Sequence, residues 1–204
     1  GFAEHLAKKY DIKLDSITIS KKQFEFAQKR IFNAGLNEKV NIKFLDYRDI
    51  QGKYDSLASI EMIEAVGEKY LNKYFLAIKN NLKSNGIAAI QAIVIKDELF
   101  DRYRKNEDFI QKYIFPGGFL PSLKSIRNYC KDTGLELTDY NSYGKHYSNT
   151  LKTWRENFIR SWNDISKQGF DQSFKKIWDF YFSYCEAGFK AKNIDLIQFS
   201  ICNK

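Results

Sequence analysis

The sequence is short of the residues that build metal centres and covalent cross-links: its 204 residues hold three cysteines and two histidines. Cys130, Cys185 and Cys202 lack the spacing of a zinc site or a disulfide framework, which fits a reducing cytoplasm. His5 and His146 cannot form a metal cluster on their own, so no metal ligand is assigned. No apolar run reaches the roughly 18 residues of a membrane span, and the opening residues do not read as a signal peptide. Any membrane contact is therefore expected to be peripheral. Basic residues are scattered, with no run of five or more, which argues against a nucleic-acid-binding arm. Repeats and low-complexity tracts are also missing.

What is present points elsewhere. Lys and Arg total 33 against 25 Asp and Glu, a net charge of +8 that favours anionic partners such as a phospholipid face. Aromatics reach 16%, more than a core of this size usually needs. They serve either a Phe-rich core or an apolar tunnel or membrane-facing surface. The length suits one domain with an elaborated cap. Over the first ninety-odd residues apolar runs alternate with segments of 3.6-residue period. This pattern predicts helices over 2–10, 21–34 and 69–82, with strands over 14–19, 40–45, 56–60 and 87–95. "KSNG" reads as a turn before the last of these. Strand–helix alternation with short loops implies an α/β fold with a doubly wound, mostly parallel sheet, which binds ligands beyond the carboxyl ends of its strands. The alternation then breaks. Residues 97–113 and 123–131 read as helices flanking a rigid "FPGGFLPS" loop, and 136–142 as a strand. A Trp- and Phe-rich helical stretch covers 149–190 with an interruption near Gly169, and "IDLIQFSIC" closes the sheet. The chain opens with a helix and no strand before it, so a first strand and a glycine turn are expected to precede Gly1.

Several residues stand at strand tips, where such folds keep their chemistry. Thr18 and Gln23 can hold ribose hydroxyls without charge, although Thr18 also suits a plain strand and Ser20 a plain helix cap. In "LDYRD", Tyr47 can cover a purine ring with Arg48 beside it, or the segment is an ordinary polar loop. In "SIEMIEAVGEKY", Glu61 and Glu64 follow an apolar strand. Glu64 is placed in a loop facing the ligand crevice, where a carboxylate accepts hydrogen bonds or holds a proton; a helix-start acid is the plainer alternative. Gln91 is the one polar side chain in "IAAIQAIVI". A buried amide without partners costs about 1–3 kcal/mol, so it is expected to meet backbone or a site group such as Glu64. Tyr147 precedes the long helical stretch, and Cys185 lies inside it, where an isolated cysteine is usually a small core residue.

In order along the chain, "TISKKQ", "LDYRD", "SIEMIEAVGEKY", "YIFPGGFLPS", "HYSNTLKTW", "YCEAGF" and "IDLIQF" closely resemble the cyclopropane fatty-acid synthase family. The resemblance implies a class I S-adenosylmethionine-dependent methyltransferase fold over residues 1–204, N-terminally truncated, with helical substrate-cap insertions at about 97–131 and 147–190. It implies methyl transfer from S-adenosylmethionine to a cis double bond of an unsaturated phospholipid acyl chain. A base then removes a proton from the added methyl as the cyclopropane ring closes. In the family that base is a bicarbonate ion, here expected in a cradle of Glu64, Gln91 and Tyr147 with backbone near Glu61 and Ile93. Thr18 and Gln23 are carried over to the cofactor ribose, Tyr47 and Arg48 to its adenine, and Cys185 to a further active-site position. Gln91 stands where many members have His and cannot titrate, which leaves room for methyl-branched or methylene products. Expected partners are unsaturated phospholipid acyl chains and the cytoplasmic face of the inner membrane, with no nucleic acid. A homodimer is compatible with this reading, as is a non-catalytic lipid-binding fragment.

Overall fold

A computed structural model describes residues 1–204. Where one domain is expected, the chain divides into two compact units, Gly1–Gly52 and Lys53–Lys204.

In the first unit, helix α1 (Phe2–Lys9) leads to strand β1 (Leu14–Thr18), helix α2 (Lys21–Asn33), strand β2 (Val40–Phe44) and a 3-10 turn (Tyr47–Asp49). Ser20 starts α2 by accepting a hydrogen bond from Gln23 N at 3.3 Å, the expected N-cap. Gly35, at φ 67°, ends it in the left-handed conformation. β1 and β2 pair in parallel, Leu14 beside Val40 through Thr18 beside Phe44. Ala7, Ile31 and Val40 form a small core, with Ala3, Leu14, Leu36 and Ile42 packed around it.

The second unit is built on a four-stranded sheet of order β3-β4-β6-β5. Strand β3 (Tyr54–Ile60) passes through short 3-10 turns (Ile63–Ala65 and Glu68–Tyr70) and helix α3 (Leu71–Asn81) to strand β4 (Leu82–Ile95), which runs parallel to it. The "KSNG" turn is present as an excursion inside β4. The pairing jumps from Tyr54–Leu82 to Ser56–Ile87, with Asn85 at φ 61°. From there β4 alternates: Ala88, Ile90, Ala92 and Val94 are buried, while Gln91 and Ile93 lie on the other face.

Two corrections concern the helical half. The amphipathic stretch 97–113 is two helices, α4 (Asp97–Tyr103) and α5 (Phe109–Tyr113). Asp108 and Gln111 form a capping box that restarts the second. Helix α6 (Leu123–Asp132) and strand β5 (Glu136–Ser142) follow as expected. The long helical stretch begins at Gly144 rather than at Asn149, so Tyr147 lies inside helix α7 (Gly144–Arg160) and not before it. Helix α8 (Trp162–Ser166) and helix α9 (Gln172–Lys190) complete the stretch, with the break at Gly169 where it was expected.

The sheet is mixed rather than mostly parallel. Strand β6 (Ile194–Cys202) lies between β4 and β5, antiparallel to both. A single crossover helix would carry the chain to the far end of the sheet and give a parallel neighbour. Here α7 leads away and α9 returns, delivering the chain to the end it left. Asp195 at the start of β6 accepts hydrogen bonds from Ser142 Oγ at 2.5 Å and from Gly144 N at 2.8 Å. α7, α9 and β6 share a core of Leu151, Phe182, Phe189 and Leu196, with Ile93, Tyr147, Trp178, Tyr181 and Cys185 against it. No helix is long and apolar enough to cross a membrane.

Candidate active site

β3 stops at Ile60, which pairs with Gln91, while β4 continues to Ile95. On that side the last residues of β4 present backbone groups with no strand to meet them, and such groups must be satisfied when buried. The segment after β3 does this with two acids. Glu61 N donates to Gln91 O at 2.9 Å, and the Glu64 carboxylate accepts from Ile93 N at 2.6 Å. Glu64 thus stands in for a missing strand carbonyl.

The turn around Glu64 is braced from outside. Phe119 N donates to Glu64 O at 2.9 Å, and Gln111 Nε2 reaches Gly118 O at 3.0 Å. A side chain at Gly118 would meet Phe115 O at 2.9 Å, whereas Glu64 O lies at an ordinary 3.7 Å, so glycine is needed for the "FPGG" loop to close on its own backbone.

A chain of side-chain hydrogen bonds crosses the site. Gln198 Nε2, directly opposite on β6, donates to Gln91 Oε1 at 2.7 Å. That fixes the amide so that Gln91 Nε2 donates to Glu61 Oε1 at 2.7 Å. The Tyr147 hydroxyl donates to Glu61 Oε2 at 2.9 Å. The partner of Gln91 is therefore Glu61, not Glu64. The Tyr147 ring packs on Phe189 and Trp154, with centroids 5.0 and 6.0 Å away.

No lysine, arginine or histidine is paired with either acid. Burial pushes the Glu64 carboxyl up to about 7, and the Glu61 charge adds to the rise. Its Oε2 is buried with no hydrogen-bond partner. Burial, then the Glu61 charge, raises Tyr147 far above the ordinary phenol range, so it is a proton donor at neutral pH. Cys185 stands outside these hydrogen bonds. It packs against the α7–α9 core, and burial raises its thiol to about 12, which withholds the thiolate that nucleophilic chemistry needs.

The donors expected to cradle bicarbonate, Gln91 Nε2 and Tyr147 OH, are both taken by the Glu61 carboxylate. A second small anion would have to displace that carboxylate or crowd two acids, so the arrangement does not fit a separate bicarbonate. Two residues were missed as side chains: Glu61, expected to offer only backbone, and Gln198. Both left signals in the sequence. Glu61 is the acid nearest the strand end, and Gln198 is the one uncharged amide in "IDLIQFSIC".

The other four candidates share one end of the two-stranded sheet. Thr18 Oγ1 donates to Gln23 Oε1 at 2.9 Å and accepts from Ser20 N at 3.1 Å. Asp46 caps the turn that carries Tyr47 and holds Arg48 in a two-pronged ion pair, at 2.9 Å to Nε and 2.7 Å to an outer guanidinium nitrogen. That pairing lowers the Asp46 carboxyl. The Thr18–Gln23 pair offers uncharged polar groups and Tyr47 a flat ring, a donor set that fits a nucleoside.

The family description "Mycolic acid cyclopropane synthetase" matches residues 1–199. The chain belongs to this family. Among the relatives of this synthetase-family chain, the tuberculostearic acid methyltransferase UfaA1 of Mycobacterium tuberculosis is 40% identical over 187 residues, 91% of this chain and 44% of that protein. The cyclopropane-fatty-acyl-phospholipid synthase of Escherichia coli K12 is 34% identical over 199 residues, 97% of this chain and 49% of that protein. The chain thus spans about half the length of the curated relatives it matches. A crystal structure of mycolic acid cyclopropane synthase CmaA1 with SAH and CTAB superposes with a TM-score of 0.86 at 23% identity, over 96% of this chain and 72% of that one. The fold is accordingly the α/β fold of S-adenosylmethionine-dependent methyltransferases of the cyclopropane synthase type.

Proposed function

We propose that the protein containing this chain transfers a one-carbon unit from S-adenosylmethionine to a cis double bond of an unsaturated phospholipid acyl chain, closing a cyclopropane ring. When bound, S-adenosylmethionine supplies a methyl group activated on a cationic sulfur. Methyl transfer to an alkene leaves positive charge on carbon. The observation that carries the reading is the pair of acids without a basic partner, Glu61 and Glu64, the first of them joined through Tyr147 to the aromatic side chains of α7 and α9. Negative charge and aromatic faces both stabilise a cation that water cannot reach. Thr18 and Gln23 would hold the cofactor ribose, with Tyr47 and Arg48 at its adenine. The helices over 97–131 and 147–190 would form the acyl-chain cap, and Cys185 would serve as one of its packing residues.

The test is to express the longest reading frame containing the chain, supply unsaturated phospholipid and S-adenosylmethionine, and analyse the lipids by mass spectrometry. The expected result is a gain of one CH₂ that resists hydrogenation; unchanged lipid mass with cofactor bound would overturn it. A methyl-branched or methylene product is the second reading. It is favoured by the 40% identity to a tuberculostearic acid methyltransferase and by a Gln at position 91 that cannot carry a proton. A methylene product takes up hydrogen, and a saturated branch carries two more hydrogens than the ring. The reading also implies a location at the cytoplasmic membrane face. With its net charge of +8, the chain is expected to sediment with anionic vesicles and to be released by salt of about 0.5 M.

A further inference from the structure

Three observations converge on the Glu61 side chain. Its backbone holds φ 49°, a left-handed conformation that a residue with a Cβ adopts only where its surroundings impose it. Its two carboxylate oxygens are each gripped, one by Gln91 from β4 and one by Tyr147 from α7, residues 30 and 86 positions away along the chain. A second carboxyl, Glu64, stands beside it with one buried oxygen that has no partner. The two side-chain donors that face this place, Gln91 Nε2 and Tyr147 OH, are both directed at the Glu61 carboxylate. Elements distant in sequence have been brought together to orient one fixed carboxylate.

We propose that Glu61 is itself the catalytic base of the methyl-transfer reaction, occupying the place expected for bicarbonate, and that turnover requires no bicarbonate. The proposal rests on the function read above. Once the methyl is attached to one alkene carbon, the neighbouring carbon is cationic. A Glu61 oxygen takes a proton from the added methyl. The electron pair of that C–H bond becomes the new C–C bond of the ring, or a C=C bond where the cation lies on the methyl-bearing carbon. The positive charge that arrived on sulfur ends as the proton on a neutral Glu61 carboxyl, which is half-buried and can return it to solvent. No oxidant or reductant is involved. Gln91 and Tyr147 are then positioning residues that aim the carboxylate.

Two variants in the full-length protein test this. Glu61→Gln keeps the shape but cannot accept a proton, and turnover should fall about 100-fold or more while S-adenosylmethionine binds as before. Glu61→Gly suits the φ of 49° and vacates the slot between Gln91 and Tyr147, so added formate or bicarbonate should restore turnover. In ¹³C NMR of labelled bicarbonate, the wild-type chain should leave the line sharp and Glu61→Gly should broaden it. Wild-type turnover should be the same in CO₂-free buffer as with bicarbonate added. A Glu61→Gln enzyme at the wild-type rate, or a wild type that stalls until bicarbonate is supplied, overturns this inference and leaves the methyl-transfer reading standing. A wild type that transfers no methyl to lipid under any of these conditions removes both.

Discussion

At the scale of single residues, the hydroxyl of Tyr147 is the most economical place to intervene. Tyr147→Phe keeps the ring on Phe189 and Trp154 and removes only the donor to Glu61 Oε2. The fold should lose about 1–3 kcal/mol, and turnover of the folded enzyme should fall about 10- to 100-fold, because the carboxylate loses one of two groups that aim it. Denaturant titration beside a lipid methylation assay separates the two effects. Glu64 makes a different prediction. Its folded carboxyl holds a proton up to about 7, against 4.5 for an ordinary glutamate. The folded state therefore binds the extra proton between those values. The stabilisation is fully present below about pH 4.5 and is lost as pH rises through about 7, by at most about 3 kcal/mol. Glu64→Gln still accepts from Ile93 N and never ionises, so its melting temperature should gain on that of the wild type as pH climbs from about 4.5 to about 7 and gain no further above that. Melting curves that run parallel between about pH 5 and 8 would mean that Glu64 does not titrate there.

At the scale of elements, the first turn of α7 decides where Tyr147 stands. Gly144 N is capped by Asp195 Oδ1 at 2.8 Å. A Cβ on Gly144 would collide with that same oxygen and stand 3.3 Å from the Asp195 Cα. Gly144→Ala should therefore cost about 1–3 kcal/mol and lower turnover further than that loss of stability explains, because the helix start carries Tyr147 with it. Urea unfolding and kcat measured at a temperature where the variant is fully folded distinguish the effects. This helix start was not legible in the sequence. "YGKHYSN" looks like a loop because its cap comes from a residue about fifty positions later. By contrast α2, capped by its own Ser20, was legible to within a residue, since everything that starts it is local.

At the scale of the whole molecule, the two units rest on unequal cores. The first buries little beyond Ala7, Ile31 and Val40, and no residue of β1 is fully buried. The second has buried apolar side chains along β4 and β6 and on α3, among them Leu71, Phe75, Ile90, Phe199 and Ile201. Protection from hydrogen exchange follows buried apolar contact. The amides of β1 and β2 should therefore exchange well before those of β4 and β6 in deuterium-exchange mass spectrometry. Equal protection across both units would show that they open together.

Composition, period and short motifs were enough to determine the alternation of strands and helices, the family, and the strand tips at which polar residues collect. These are properties written over a few neighbouring residues, where hydrophobic period, caps and turns act. Which acid meets which amide was decided only by the tertiary structure. Glu61 and Glu64 are three residues apart and equally plausible on paper, yet one bridges Gln91 and Tyr147 while the other takes the amide of Ile93. That choice is set by the register of Ile60 against Gln91, the antiparallel run of β6 that brings Gln198 opposite, and the docking of α7. Hydrogen bonds that span 30, 86 and 107 positions depend on where packing brings distant segments together, and no local pattern carries that information.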